Sequence, residues 1–157
     1  MKDQESGVEP DAVMVRVGEG IGLRQQGERG AAREVFAELW DAIGGEDGDA
    51  FHRCAIAHSM ADVRDDVNDE LHWDLLALDA ADSLTDGRAA EGGVAVPVAA
   101  FYPSLHLNLG ECYRELGDAD RARDHLRRGL DSMTALPEGG YSTMIRDGLD
   151  RLARLLA

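Results

Sequence analysis

The sequence is poor in aromatics, lysine, cysteine and long apolar runs, and each shortage excludes something. Aromatic residues make up only 5% of the 157-residue chain. Strands draw on aromatic and β-branched side chains, whereas the Ala and Leu that dominate here favour helix. Lys2 is the only lysine among 16 basic residues, which face 31 acidic ones for a formal net charge of -15. Such a chain repels phosphate backbones and anionic lipid, which excludes nucleic acid and membrane as partners and leaves a cationic partner segment compatible. Cys54 and Cys112 are the two cysteines; both lie inside apolar helical patterns without metal-ligand spacing, so buried free thiols in a reducing cytoplasm are expected. No run reaches the ~20 apolar residues that cross a bilayer. Met1 to Pro10 is polar and acidic, unlike a signal peptide. The bias to arginine, with abundant Ala, Gly, Asp and Val, is what a GC-rich bacterial genome produces.

What is present is a hydrophobic fraction of 44%, enough for one real core. Residues 1–10 read as a disordered acidic tail, and 11–157 as a single helical domain. Apolar positions recurring at i, i+3 and i+4 place helices from Ala12 to about Gln26, Arg29 to Ile43, Ala50 to about Val63 and Asn68 to Leu84. The fourth carries two stripes, Leu71, Leu75 and Leu78 on one side and Trp73, Leu76, Ala77, Ala80 and Leu84 on the other. It should therefore be packed on two faces. Gly87, Gly92, Gly93 and Pro97 mark a long loop near 85–100. A fifth helix starts at Pro103 and ends at Gly117, and Asp118 caps a sixth that runs to about Leu136. The last helix starts near Ser142, with Ile145, Leu149, Leu152 and Leu156 facing inward and Arg146, Asp147, Asp150, Arg151 and Arg154 outward. About seven helices result, the last with the one-sided character of a capping helix.

An internal repeat organises these helices. Gly20, Gly27, Glu28, Ala32, Arg33 and Phe36 recur 90 residues later as Gly110, Gly117, Asp118, Ala122, Arg123 and Leu126. A small residue lets two antiparallel helices approach, a glycine turns the chain, and a second small residue packs back. The run Asn108-Leu109-Gly110, with Tyr113, Gly117-Asp118, Ala122, Leu126 and Gly129-Leu130, resembles a tetratricopeptide repeat, a helix–turn–helix unit of about 34 residues. Gly20 to Trp40 resembles a weaker copy, and Phe51 to Leu78 a degenerate one with Ala55 at the small position. Its turn, Asp62 to Asn68, is longer than the family's. That turn and the 85–100 loop account for the 90-residue spacing, where two regular repeats span about 68. His106 stands where the family has a tryptophan. The resemblance implies an all-α fold of antiparallel helix pairs in a short right-handed solenoid.

It also implies a function: a scaffold or adaptor, regulatory in its preferred form, whose groove along the first helices holds a partner protein or peptide. The groove residues it points to are Arg53, Tyr102, Ser104, Asn108, Glu111, Arg114 and Glu115, of which Ser104, Asn108, Glu111 and Glu115 share one helix face. A solvated helix face is the alternative for that stripe. A grip on a C-terminal carboxylate is excluded, because Arg24, Arg53 and Arg114 stand among acidic neighbours.

A second function class rests on titratable groups in apolar helices. His58 and Asp62 stand at i, i+4, and His58 meets His106 if the first helices of the second and third pairs lie side by side. A small helical enzyme, or a small-molecule or metal binder, would use His58, Asp62 and His106. Against it stands a core role for both histidines and a solvated turn for the aspartates. No HExxH, CxxC, phosphate-binding loop or nucleophile elbow is present, so no cofactor, metal or catalytic residue is assigned. His52 and His72 have no partner at a diagnostic spacing. A homodimer through an exposed apolar helix face is compatible with such a fold.

Overall fold

A computed structural model describes residues 11–157; the expected tail at 1–10 lies outside the described residues. The described residues form eight α-helices and no strand: α1 (Ala12–Gln25), α2 (Arg29–Ala42), α3 (Ala50–Ala61), α4 (Val67–Ser83), α5 (Asp86–Glu91), α6 (Tyr102–Glu115), α7 (Ala119–Ser132) and α8 (Gly140–Leu155). Among the described residues no helix is long and apolar enough to cross a membrane. The acidic composition has a local use here. Asp11, Asp49, Asp66 and Asp118 each accept backbone N–H groups at the start of α1, α3, α4 and α7, where donors are unpaired and the helix dipole favours negative charge.

Neighbours in sequence pack as antiparallel hairpins: α1 on α2, α3 on α4, and α6 on α7, with α8 laid across α6 and α7. The two ends of the internal repeat turn identically. Gly27 and Gly117 take φ of 83° and 81°, the left-handed conformation that disfavours any Cβ. Around them Glu28 N–H donates to Leu23 O and Asp118 N–H to Tyr113 O, both at 2.9 Å, while the glycine N–H groups reach Arg24 O and Arg114 O at 3.0 Å. This is the same Schellman closure 90 residues apart. Arg33 and Arg123, equivalent in the repeat, also act alike: Arg33 donates to Val63 O past the end of α3, and Arg123 to Leu156 O past the end of α8. Each places a cation where a helix leaves carbonyls unpaired.

Gly20 marks the close approach in the first hairpin, since a Cβ there would sit 2.5 Å from the fully buried Phe36 ring. The Trp40 and Trp73 rings meet edge to face, centroids 5.1 Å apart, and tie the first hairpin to the second. In α8, Ile145, Leu149, Leu152 and Leu156 are buried and the five charged positions named above are exposed.

Two expectations need correction. The 85–100 stretch is not a plain loop. Leu84 turns extended, Thr85 caps the short α5, and a 3-10 turn at Val98–Phe101 leads into α6. Ala89, Val98, Leu84 and Phe51 share one buried cluster, and Asp86 accepts from Val98 N–H at 2.8 Å. Alanine and valine between the glycines had enough apolar surface to fold back, which raises the helix number from seven to eight. In α4, Leu75 is 39% exposed while Asp74 is fully buried. A carboxylate thus takes the inward position that the leucine stripe had claimed.

Candidate functional site

An apolar cavity of about 280 Å³ opens between the first helices of the hairpins. Met14 of α1, Phe51, Cys54 and His58 of α3, Ser104 of α6 and Tyr141 of α8 line it. Its few polar groups are specific. His58 Nδ1 is buried without a hydrogen-bond partner among the described residues. Ser104 Oγ donates to Phe101 O at 3.2 Å, which leaves its lone pairs available. Burial pushes the Cys54 thiol up to about 11, so it lines the cavity as a neutral apolar group.

The expected groove residues divide among several tasks. Only Ser104 of the seven lines the cavity. Arg53 turns to the rim of its own hairpin, donating to Gly48 O at 2.8 Å and pairing with Asp79 of α4. Tyr102 donates to Asp82 Oδ1 at 2.6 Å. Asn108 is half-buried. Glu111 and Glu115 add to the negative field at Glu70, as does Asp62. Among the described residues Arg114 pairs only with Glu115, at 4.0 Å, and its Nε is buried without a partner. The resulting surface is apolar toward the start of α3 and α6 and acidic toward their ends.

No hydrogen bond joins any two of His58, Asp62 and His106. His58 faces the cavity, the exposed Asp62 acts on Glu70 and Asp74, and His106 binds a histidine absent from the expected set. His106 Nδ1 lies 3.0 Å from His125 Nδ1 across the α6–α7 interface, with the two side chains 3% and 7% exposed. The pair extends into a stack, Tyr102 on His106, His106 on His125 and His125 on Tyr113, with centroids 5.9, 5.3 and 5.4 Å apart. Two facing Nδ1 atoms bond only when one carries a proton and the other accepts it, so at least the accepting ring is neutral. Burial, helped by the Arg128 guanidinium, brings His106 down to about 4 and lowers His125 too.

The third cluster joins α4 to α6. Glu70, Asp74 and Cys112 each offer a ligand atom within 4.8 Å of the others. Cys112 Sγ donates to Asp74 Oδ2 at 3.6 Å, while Asp74 Oδ1 has no partner. Burial first, then the Glu70 charge, pushes Asp74 up to about 8. Glu70 is raised by burial and by acidic neighbours, and Cys112 is raised by burial beside both carboxylates.

The chain matches no known family model, curated protein or solved structure.

The resemblance to tetratricopeptide repeats rests on the residues of this chain alone. Reasoning along the sequence missed His125, Glu70 and Asp74. The signal for Asp74 was a charge inside the apolar face shared by Leu71 and Leu78. For His125 it was a polar residue on the inward side of α7, between Ala122 and Leu126. His52, expected to lack a partner, lies 2.6 Å from Asp11 Oδ2.

Proposed function

We propose that the chain is a short, tetratricopeptide-like right-handed solenoid that docks a partner protein through one segment, anchored by a large apolar side chain and flanked by basic residues. The observation that carries this reading is the cavity, which is bounded by the first helix of all three hairpins and by α8. Matching glycine turns and matching arginine clamps at both ends of the repeat support the solenoid. The cavity's 280 Å³ falls below the roughly 300–1,000 Å³ of pockets that engulf a drug-sized ligand. It suits the single anchor side chain by which grooves hold a peptide. Asp62, Glu111 and Glu115 at the acidic end, in a chain of net charge -15, favour a basic flank. Joint catalysis by His58, Asp62 and His106 has no support in their positions.

The test is a displayed random-peptide library panned on the purified protein, followed by affinity titration of the selected peptides. Enriched peptides should carry a Phe, Trp or Leu beside Lys or Arg. Ala55→Trp fills the cavity from its wall and should weaken binding by roughly tenfold or more, about 1.4 kcal/mol, with helicity unchanged. Glu111→Lys with Glu115→Lys should flatten the salt dependence. Peptides that bind Ala55→Trp as well as the parent would place the docking surface elsewhere.

A further inference from the structure

We propose that Glu70, Asp74 and Cys112 form a binding site for a divalent cation of the zinc class, joining α4 to α6. The first observation is convergence: two carboxylates one helical turn apart on α4 meet a thiol of α6, their ligand atoms within 4.8 Å of one another. The second is independent of that grouping. Asp74 is fully buried and turned on Cys112, yet its Oδ1 has no hydrogen-bond partner. Neither Glu70 nor Asp74 pairs with a cation among the described residues, whereas the half-buried Asp49 and Asp11 have Arg88 and His52. A buried carboxylate without a partner is costly, and the cost is offset either by a retained proton or by a bound cation that takes the proton's place.

One pair of ligand atoms already stands at the separation zinc requires. A thiolate at about 2.3 Å and a carboxylate oxygen at about 2.1 Å from a tetrahedral ion stand about 3.6 Å apart. Cys112 Sγ and Asp74 Oδ2 are 3.6 Å apart. Glu70, at the first turns of α4 and half-buried, closes the remaining gap by side-chain rotation. Hard cations such as Mg²⁺ and Ca²⁺ avoid sulfur, and Cu⁺ avoids carboxylates, so a borderline ion suits this mixed set. Three protein ligands leave a fourth position for water or an exogenous ligand. Asp62, Glu111 and Glu115 surround the site with further negative potential.

The full chain, freed of metal with EDTA, is titrated with CoCl₂ and separately with ZnCl₂ in equilibrium dialysis. One cobalt per chain should bind, with visible bands of tetrahedral intensity and a thiolate charge-transfer band in the near ultraviolet; zinc should displace it and raise the Tm. Cys112→Ser should abolish the charge-transfer band. Glu70→Gln and Asp74→Asn should each weaken zinc by more than the roughly 10- to 100-fold typical of outer-shell partners. Glu70 is half-exposed, so its variant tests the site even if Asp74→Asn fails to fold. Three results overturn the proposal: no stoichiometric zinc at micromolar concentration on folded protein, zinc affinity unchanged in Cys112→Ser, or binding lost in His125→Phe alone, which would assign the ion to the histidine pair.

Discussion

Mild acid should destabilise this protein through the His106–His125 pair, and the size of the effect follows from the structure. His106 titrates at 6.5 in an unfolded chain and at about 4 when folded. A group whose folded pKa is depressed in this way binds protons in the unfolded state first, so stability falls as pH drops from about 6.5 toward about 4. Between about pH 7 and about pH 5 the single-site linkage for these two values removes about 2 kcal/mol. That is a large part of the 5–15 kcal/mol typical of a domain. Arg128, Asp82 and Asp124 are the charged groups that act on His106, with His125 beside it. The control is His106→Asn, whose amide nitrogen stands where Nδ1 stood, so it can still reach His125 but cannot titrate. Urea unfolding of both proteins in EDTA, at both pH values, isolates the contribution of His106 together with its coupling to His125, because the other titrating groups are shared. The stability advantage of the parent over the variant should shrink by about 2 kcal/mol on acidification. An advantage constant to within about 0.5 kcal/mol, the usual error of additivity, would refute a neutral buried pair.

Two further outcomes test the packing. Gly20→Ala drives a methyl into the buried Phe36 ring and should cost about 1–3 kcal/mol in chemical denaturation; a neutral result would mean that α1 and α2 do not approach as closely as described. Asp86→Ala removes the acceptor of Val98 N–H and should cost about 1 kcal/mol. The same change should open the 85–100 segment to limited proteolysis, and an unaltered cleavage rate would show that the segment is held by Ala89 and Val98 packing alone.

Most of the helices were legible because their signals are local. Apolar periodicity, aspartate caps and glycine exits gave the ends of α1 to α4 and α6 to α8 to within a few residues. The repeat of Gly20, Gly27 and Arg33 in Gly110, Gly117 and Arg123 corresponds to equal backbone turns and equal arginine clamps. The 85–100 segment was harder. Glycines and a proline announce a break, but whether the alanines and valines between them fold back depends on Phe51 and Leu84 elsewhere in the chain. Leu75 and Asp74 exchanged places for a related reason: two adjacent positions on a helix differ by about 100°, and periodicity alone does not fix which of them a third helix will cover.

The sequence by itself determined an all-helical chain, its hairpin turns, its internal repeat and the inward face of α8, since each depends on residues within a turn or two of one another. Only the tertiary structure decided which polar groups meet. Asp74 and Cys112 are separated by 38 residues and His106 and His125 by 19, and the cavity draws its walls from α1, α3, α6, α8 and the segment that carries Val94 and Phe101. Those encounters depend on helix rotation and stagger, which are set by how side chains interdigitate across interfaces. A linear pattern encodes which residues face inward, whereas the partner each one finds is settled only when the helices pack.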